Sequence, residues 1–128
     1  MSQRGTNLEA GERWDSTICS LAASAPADAA TDWIPTPDTS LAIWIPEDLL
    51  FCTLSIAAAY GLHLAQLIPP GFSARLNHKQ ADGLLEDFAF LETVSKDDDV
   101  LLCLDVLRSV CIRVRNDQSR SIVLVQCA

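Results

Sequence analysis

Residues 95–116 read SKDDDVLLCLDVLRSVCIRVRN. Apolar side chains recur there at alternating spacings of four and three, which is the period of one helix face: Val100, Leu104, Leu107, Cys111 and Val114. Ser95 can cap the helix, the aspartates at 97–99 fill its first turn, and arginines lie near its other end. This charge order matches the helix dipole. The pattern therefore predicts a helix over residues 96–115.

The second half of this stretch allows another interpretation. β-branched residues become dense from Val110 onward, and residues 120–127 have the composition of a strand. Residues 109–115 could then pair with 120–127 in a terminal β-hairpin through the polar turn between them. The helical spacing that continues unbroken from Val100 favours the helix.

Two more helices are predicted upstream. Residues 77–94 carry an apolar stripe behind a capping Asn77, and the short junction before residue 96 predicts that this helix and the next pack together as an antiparallel hairpin. Residues 46–67 also show the four–three spacing, starting at Pro46. Gly61 leaves two options open there: a continuous helix, which the spacing favours, or a stop at Tyr60 followed by a strand over 62–68.

The remaining segments complete a fold prediction. Residues 41–45 are short, apolar and β-prone, and we expect them to form a small sheet with 121–127. Residues 14–25 are predicted to form a short helix, and residues 1–13 a mobile N-terminus. The predicted fold class is helix-rich α+β, with one compact domain over residues 14–128.

Composition and charge limit the function classes. The chain has 128 residues, 49% of them hydrophobic, and a formal net charge of −8, which argues against nucleic acid and anionic membranes as ligands. Residues 49–68 lack charged side chains, but they contain polar ones and have no basic flank, so a buried helix is preferred to a membrane span. No signal peptide is visible, and the five cysteines are widely spaced. We therefore expect reduced cysteines and a cytoplasmic protein.

Residues that could carry chemistry are few. The two histidines, His63 and His78, have no cysteine or carboxylate at a motif spacing, and the aspartates at 97–99 lack the glycine-containing loop of a calcium site. No phosphate-binding loop or nucleophile motif is present. The sequence predicts no catalytic site, no metal and no cofactor, so the protein is expected not to be an enzyme.

The leading hypothesis is binding to a protein. Carboxylates on the 77–94 helix and at the start of the next one are expected to form an acidic face: Asp82, Glu86, Asp87, Glu92, Asp97, Asp98 and Asp99. Such a face suits an immunity protein or antitoxin that blocks a toxin with a basic cleft. The alternative is an adaptor or scaffold subunit that binds through apolar residues such as Trp33 and Phe72, with a homodimer as one arrangement. The sequence leaves the oligomeric state open.

Overall fold

The computed structural model describes residues 6–7, 14, 18–26, 42–68 and 73–125. The described ranges contain five strands and four helices in the following order: β1 (Thr6–Asn7), β2 (Cys19–Pro26), β3 (Ala42–Pro46), α1 (Glu47–Ala59), α2 (His63–Leu67), β4 (Ala74–Leu76), α3 (His78–Val94), α4 (Asp98–Arg115) and β5 (Arg120–Val125). This architecture confirms the predicted helix-rich α+β class.

The strands form one sheet in the order β1-β3-β2-β5-β4. β2 lies at its centre and runs antiparallel to both neighbours, so that Ala22 is level with Ile43 on one side and with Leu124 on the other. β4 continues the sheet antiparallel to β5, and β1 runs parallel to β3 at the opposite edge.

The central strand corrects two predictions. The helix predicted over residues 14–25 is wrong, because Cys19–Pro26 is a strand. Segments 41–45 and 121–127 were expected to pair with each other, but β2 separates the strands that form there, β3 and β5. The local signal was misleading because the sequence CSLAASAP is rich in alanine, which favours helices, and lacks the β-branched residues of most strands.

α4 confirms the helix predicted over 96–115 and shows that the hairpin of 109–115 with 120–127 is wrong. Val110, Cys111 and Val114 are buried on the helix face that continues from Val100. A helical stripe that buries all of its apolar members outweighs the local β propensity. The predicted cap at Ser95 is also wrong: Asp97 is the N-cap of α4, and Ser95 is the C-cap residue that follows α3.

The segment 46–67 is not one continuous helix. α1 ends at Ala59, Gly61 adopts a φ of +67°, and a separate short helix, α2, follows instead of the alternative strand over 62–68. The amides of Gly61 and Leu62 donate to the carbonyls of Ala58 and Ala57, at 3.0 and 3.2 Å, which is the Schellman arrangement. Because the break shortens the apolar stretch, no helix among the described residues is long and apolar enough to cross a bilayer.

The helices pack on one face of the sheet. Alternate sheet residues such as Ala22, Ile45 and Leu124 join a core with buried side chains of α1, α3 and α4, including Leu54 and Phe88. The other face carries a small apolar cluster of Leu21, Ala23 and Ala42 with Trp44 against it; in the described part of the chain, no helix residue belongs to this cluster. Both faces of β2 are therefore buried, and α3 and α4 lie together on the first.

Candidate functional site

Glu92 is paired within the chain. Its two carboxylate oxygens each accept from Nη1 of Arg108 at 3.2 Å, which links α3 to α4. Both side chains are partly exposed, so the pair contributes little to stability, but it does neutralise the negative charge of Glu92. Glu92 is thus directed towards its neighbouring helix.

The N-terminus of α4 uses two more of the predicted acidic residues. The Asp97 carboxylate accepts from the amides of Asp99 and Val100, at 2.9 and 3.3 Å. The Asp99 carboxylate accepts from the indole Nε1 of Trp14 at 2.7 Å, a contact between residues 85 positions apart. These carboxylates therefore cap a helix and hold a tryptophan, and both are half-buried.

The remaining members of the predicted acidic face differ in exposure. Asp82 and Glu86 are exposed and lie four residues apart, which places them on the same side of α3. Asp98 is exposed at the start of α4, whereas Asp87 is half-buried and already has an interaction within the chain. The seven carboxylates are therefore not equivalent: Asp82, Glu86 and Asp98 are presented to solvent.

The two apolar residues of the alternative binding surface, Trp33 and Phe72, lie outside the described residues. Nothing in the fold therefore bears on that pair.

An aromatic pair lies beside the exposed acidic residues of α3. The rings of Tyr60 and Phe90 are 5.2 Å apart between centroids and inclined at 80°, an edge-to-face contact. Tyr60 is 51% exposed and Phe90 41% exposed. Phe90 follows Glu86 by four residues and Asp82 by eight, so all three lie along one side of α3. We call Asp82, Glu86, Phe90 and Tyr60 the aromatic–acidic patch.

The sequence did not predict this pair, because its two residues are 30 positions apart in the chain. One signal was present: Phe90 continues the exposed side of α3 that starts with Asp82 and Glu86, at a position where the helical period predicts a polar residue. Tyr60 carried no comparable signal, since its contact with Phe90 joins residues from two different helical segments.

Two of the cysteine thiols, Cys103 and Cys111, are deeply buried. Burial raises the pKa of Cys103 from 9.0 to about 12, partly offset by a hydrogen bond with the Thr53 side chain, and burial raises the pKa of Cys111 to about 12 as well. Thiols with such pKa values stay protonated at neutral pH and are weak nucleophiles. Within the described ranges, no group of three or more histidine, cysteine, aspartate or glutamate residues could hold a metal ion.

Comparison with protein-family models, with curated proteins and with solved structures finds no match to this chain.

Proposed function

We propose that this protein is a small acidic binding protein that neutralises a protein partner, as an immunity protein or antitoxin does when it blocks a toxin with a basic cleft. It acts in the cytoplasm, without catalysis and without a cofactor. The observation that carries the proposal is the pair of exposed carboxylates on one side of α3, Asp82 and Glu86, for which no ion pair is present among the described residues.

Electrostatics supports a basic partner. The chain carries a net charge of −8, so a basic protein is attracted over a distance and an acidic one is repelled. Exposed carboxylates are hydrated in the unbound protein. Such charges mainly increase the association rate and the specificity of a complex. A toxin that acts on nucleic acid needs a positive cleft for its substrate, and an acidic inhibitor can occupy that cleft.

A second candidate function is an adaptor or scaffold subunit that acts through apolar surface, as a homodimer in one arrangement. It is supported by exposed aromatic side chains in α1, directly after α1 and in α3: Phe51 is 50% exposed, Tyr60 51% and Phe90 41%. Isolated exposed apolar residues are common on monomers, so this support is weaker. Light scattering of the purified chain separates the two, because an obligate homodimer has twice the monomer mass without any partner.

The test of the leading proposal is capture followed by binding measurements. The tagged chain is purified from its native cells, the co-purifying protein is identified, and its association rate is measured at increasing salt concentrations. The double variant Asp82→Asn/Glu86→Gln should reduce the association rate about tenfold and weaken its salt dependence. Asp105→Asn, at an exposed position of α4, is the matched control. Failure to recover a basic partner, or a rate that salt does not change, would contradict the proposal.

A further inference from the structure

We propose that the aromatic–acidic patch is the binding site for an arginine-bearing segment of the protein partner. This inference rests on the proposed function and adds which surface is used and which side chain it receives. The Tyr60–Phe90 pair would contact the flat guanidinium group, and Glu86, with Asp82 beyond it, would neutralise the charge.

The aromatic pair is the part of the surface best suited to be the centre of an interface. Aromatic side chains that pack closely with a partner often contribute most of the binding energy, and polar residues around them exclude water. Tyr60 and Phe90 are each about half exposed and hold one another in an edge-to-face contact. In an edge-to-face pair the partner ring covers only one ring face, and both side chains are about half exposed, so the pair offers aromatic surface to a flat cation.

Charge complementarity identifies the occupant. Glu86 lies one helical turn from Phe90, and Asp82 one turn further, both exposed and without an ion-pair partner in the described part of the chain. A cation above Phe90 is therefore within reach of a carboxylate as well as a ring. Arginine fits this arrangement better than lysine because its planar group can stack on a ring and bind a carboxylate through two N–H groups.

The chain offers matched controls for both components of the patch. Phe51 is also about half exposed, but it precedes Tyr60 by nine residues, about 13 Å along the helical path. Asp105 is an exposed carboxylate on α4. Phe51→Ala therefore removes an exposed aromatic ring outside the patch, and Asp105→Asn removes an exposed negative charge outside it.

The test uses a short synthetic amphipathic peptide with arginine on its polar face and leucine on the other, together with versions that carry lysine or glutamate. Each is titrated into the isotope-labelled protein and followed by amide NMR shifts. We expect saturable shifts centred on Tyr60 and on residues 82–93. Phe90→Ala and Tyr60→Ala should weaken the arginine peptide about tenfold and Glu86→Gln about threefold, whereas the two controls should change its Kd less than about twofold. The lysine peptide should bind more weakly than the arginine peptide.

The inference is overturned if the arginine peptide does not bind, if the shifts spread evenly over the carboxylates of the molecule, or if the controls weaken binding as much as the patch variants. Circular dichroism of each variant confirms that the fold is retained. The proposed function fails separately. A captured partner that binds Phe90→Ala as tightly as the unaltered chain supports the function and refutes the patch, whereas patch-specific peptide binding without any captured partner supports the site and contradicts the function.

Discussion

Asp97, Asp98 and Asp99 are adjacent residues with the same side chain, yet they have different environments at the start of α4. The Asp97 carboxylate accepts hydrogen bonds from two backbone amides, and the Asp99 carboxylate accepts one from the Trp14 indole. Asp98 is exposed. The helix dipole favours negative charge at all three positions. The three side chains point in different directions from the first turn. Asp97 therefore caps the helix, Asp99 makes a tertiary contact, and Asp98 is a solvent-exposed charge.

Asp97→Ala should therefore destabilise the protein by about 1 kcal/mol, because it removes the acceptor for two amides that have no partner within the helix. Asp98→Ala is the control and should cost less than about 0.5 kcal/mol. Denaturant unfolding of both variants measures the difference. Equal losses would mean that the dipole alone, and not the cap, stabilises this end of α4.

The buried thiols predict a loss of stability at alkaline pH. The pKa of Cys103 rises from 9.0 in the unfolded chain to about 12 in the fold, and that of Cys111 behaves alike, because burial disfavours the thiolate. Between these values the unfolded chain has released protons that the folded chain retains. The stabilisation is complete below pH 9.0 and decreases as the pH rises towards about 12, by up to about 1.4 kcal/mol per pH unit for each thiol.

Denaturant midpoints of the unaltered chain and of Cys103→Ala, measured on both sides of pH 9.0, check this expectation. The variant should be less stable at neutral pH but should lose stability less steeply with rising pH. The difference in slope isolates the contribution of this thiol from that of all groups that the two proteins share. Identical slopes would show that Cys103 is not buried as the fold requires.

At the scale of elements, α1 and α2 show how one residue divides a helical pattern. The apolar spacing continues through Gly61, and spacing alone therefore predicts a single helix. The chain instead turns at Gly61 with a φ of +67°, and the amides that follow α1 bond to its last carbonyls. The glycine supplies a backbone conformation that other residues adopt only at a cost of about 1–2 kcal/mol.

Gly61→Ala should consequently destabilise the protein by about 1 kcal/mol, from backbone strain alone, since an added Cβ would meet no atom within 4 Å. Gly83→Ala provides the opposite case. Gly83 lies within α3 at an ordinary helical φ, its Cβ would also meet nothing within 4 Å, and the substitution should stabilise the protein by about 0.5–1 kcal/mol. Thermal unfolding of the two variants should shift in opposite directions, and a stabilising Gly61→Ala would restore the continuous-helix prediction.

At the scale of the whole molecule, β2 connects the parts of the fold. It pairs with β3 and β5, and its two faces contribute to separate apolar clusters. Its alanines are small enough for the helix layer to approach the sheet, and Ala22 has no exposed surface in the main core. A strand in this position cannot gain side-chain volume without moving its neighbours.

Ala22→Val should therefore cost about 1–3 kcal/mol through overpacking, although valine is the better strand former. Ala89→Val at an exposed position of α3 is the control, and its cost should stay below about 0.7 kcal/mol because only helix propensity changes. Urea unfolding of both variants checks the comparison. A neutral Ala22→Val would contradict the central position of β2 and favour the short helix predicted over residues 14–25.

The sequence alone determined the features that depend on short-range physics. Helices α3 and α4 could be predicted because period, caps and charge order act within a few turns, and β3 and β5 because their β-branched and aromatic residues favour strands locally. The exposed acidic side of α3 followed from the same helical period. The predicted acidic face as a whole did not follow from this period, since Glu92 bonds to Arg108 of α4, 16 residues further along the chain.

Only the tertiary structure decided the rest. Ser-Ala-rich β2 became a strand because it pairs with β3 and β5 at its two edges and is buried on both faces, and this burial outweighs local propensity. The aromatic–acidic patch required tertiary packing to bring Tyr60, at the end of α1, against Phe90, 30 residues later in the chain. Local preferences amount to fractions of a kcal/mol per residue, whereas burial of a side chain contributes several times more, so long-range packing determines the strand order and the surface that the molecule presents.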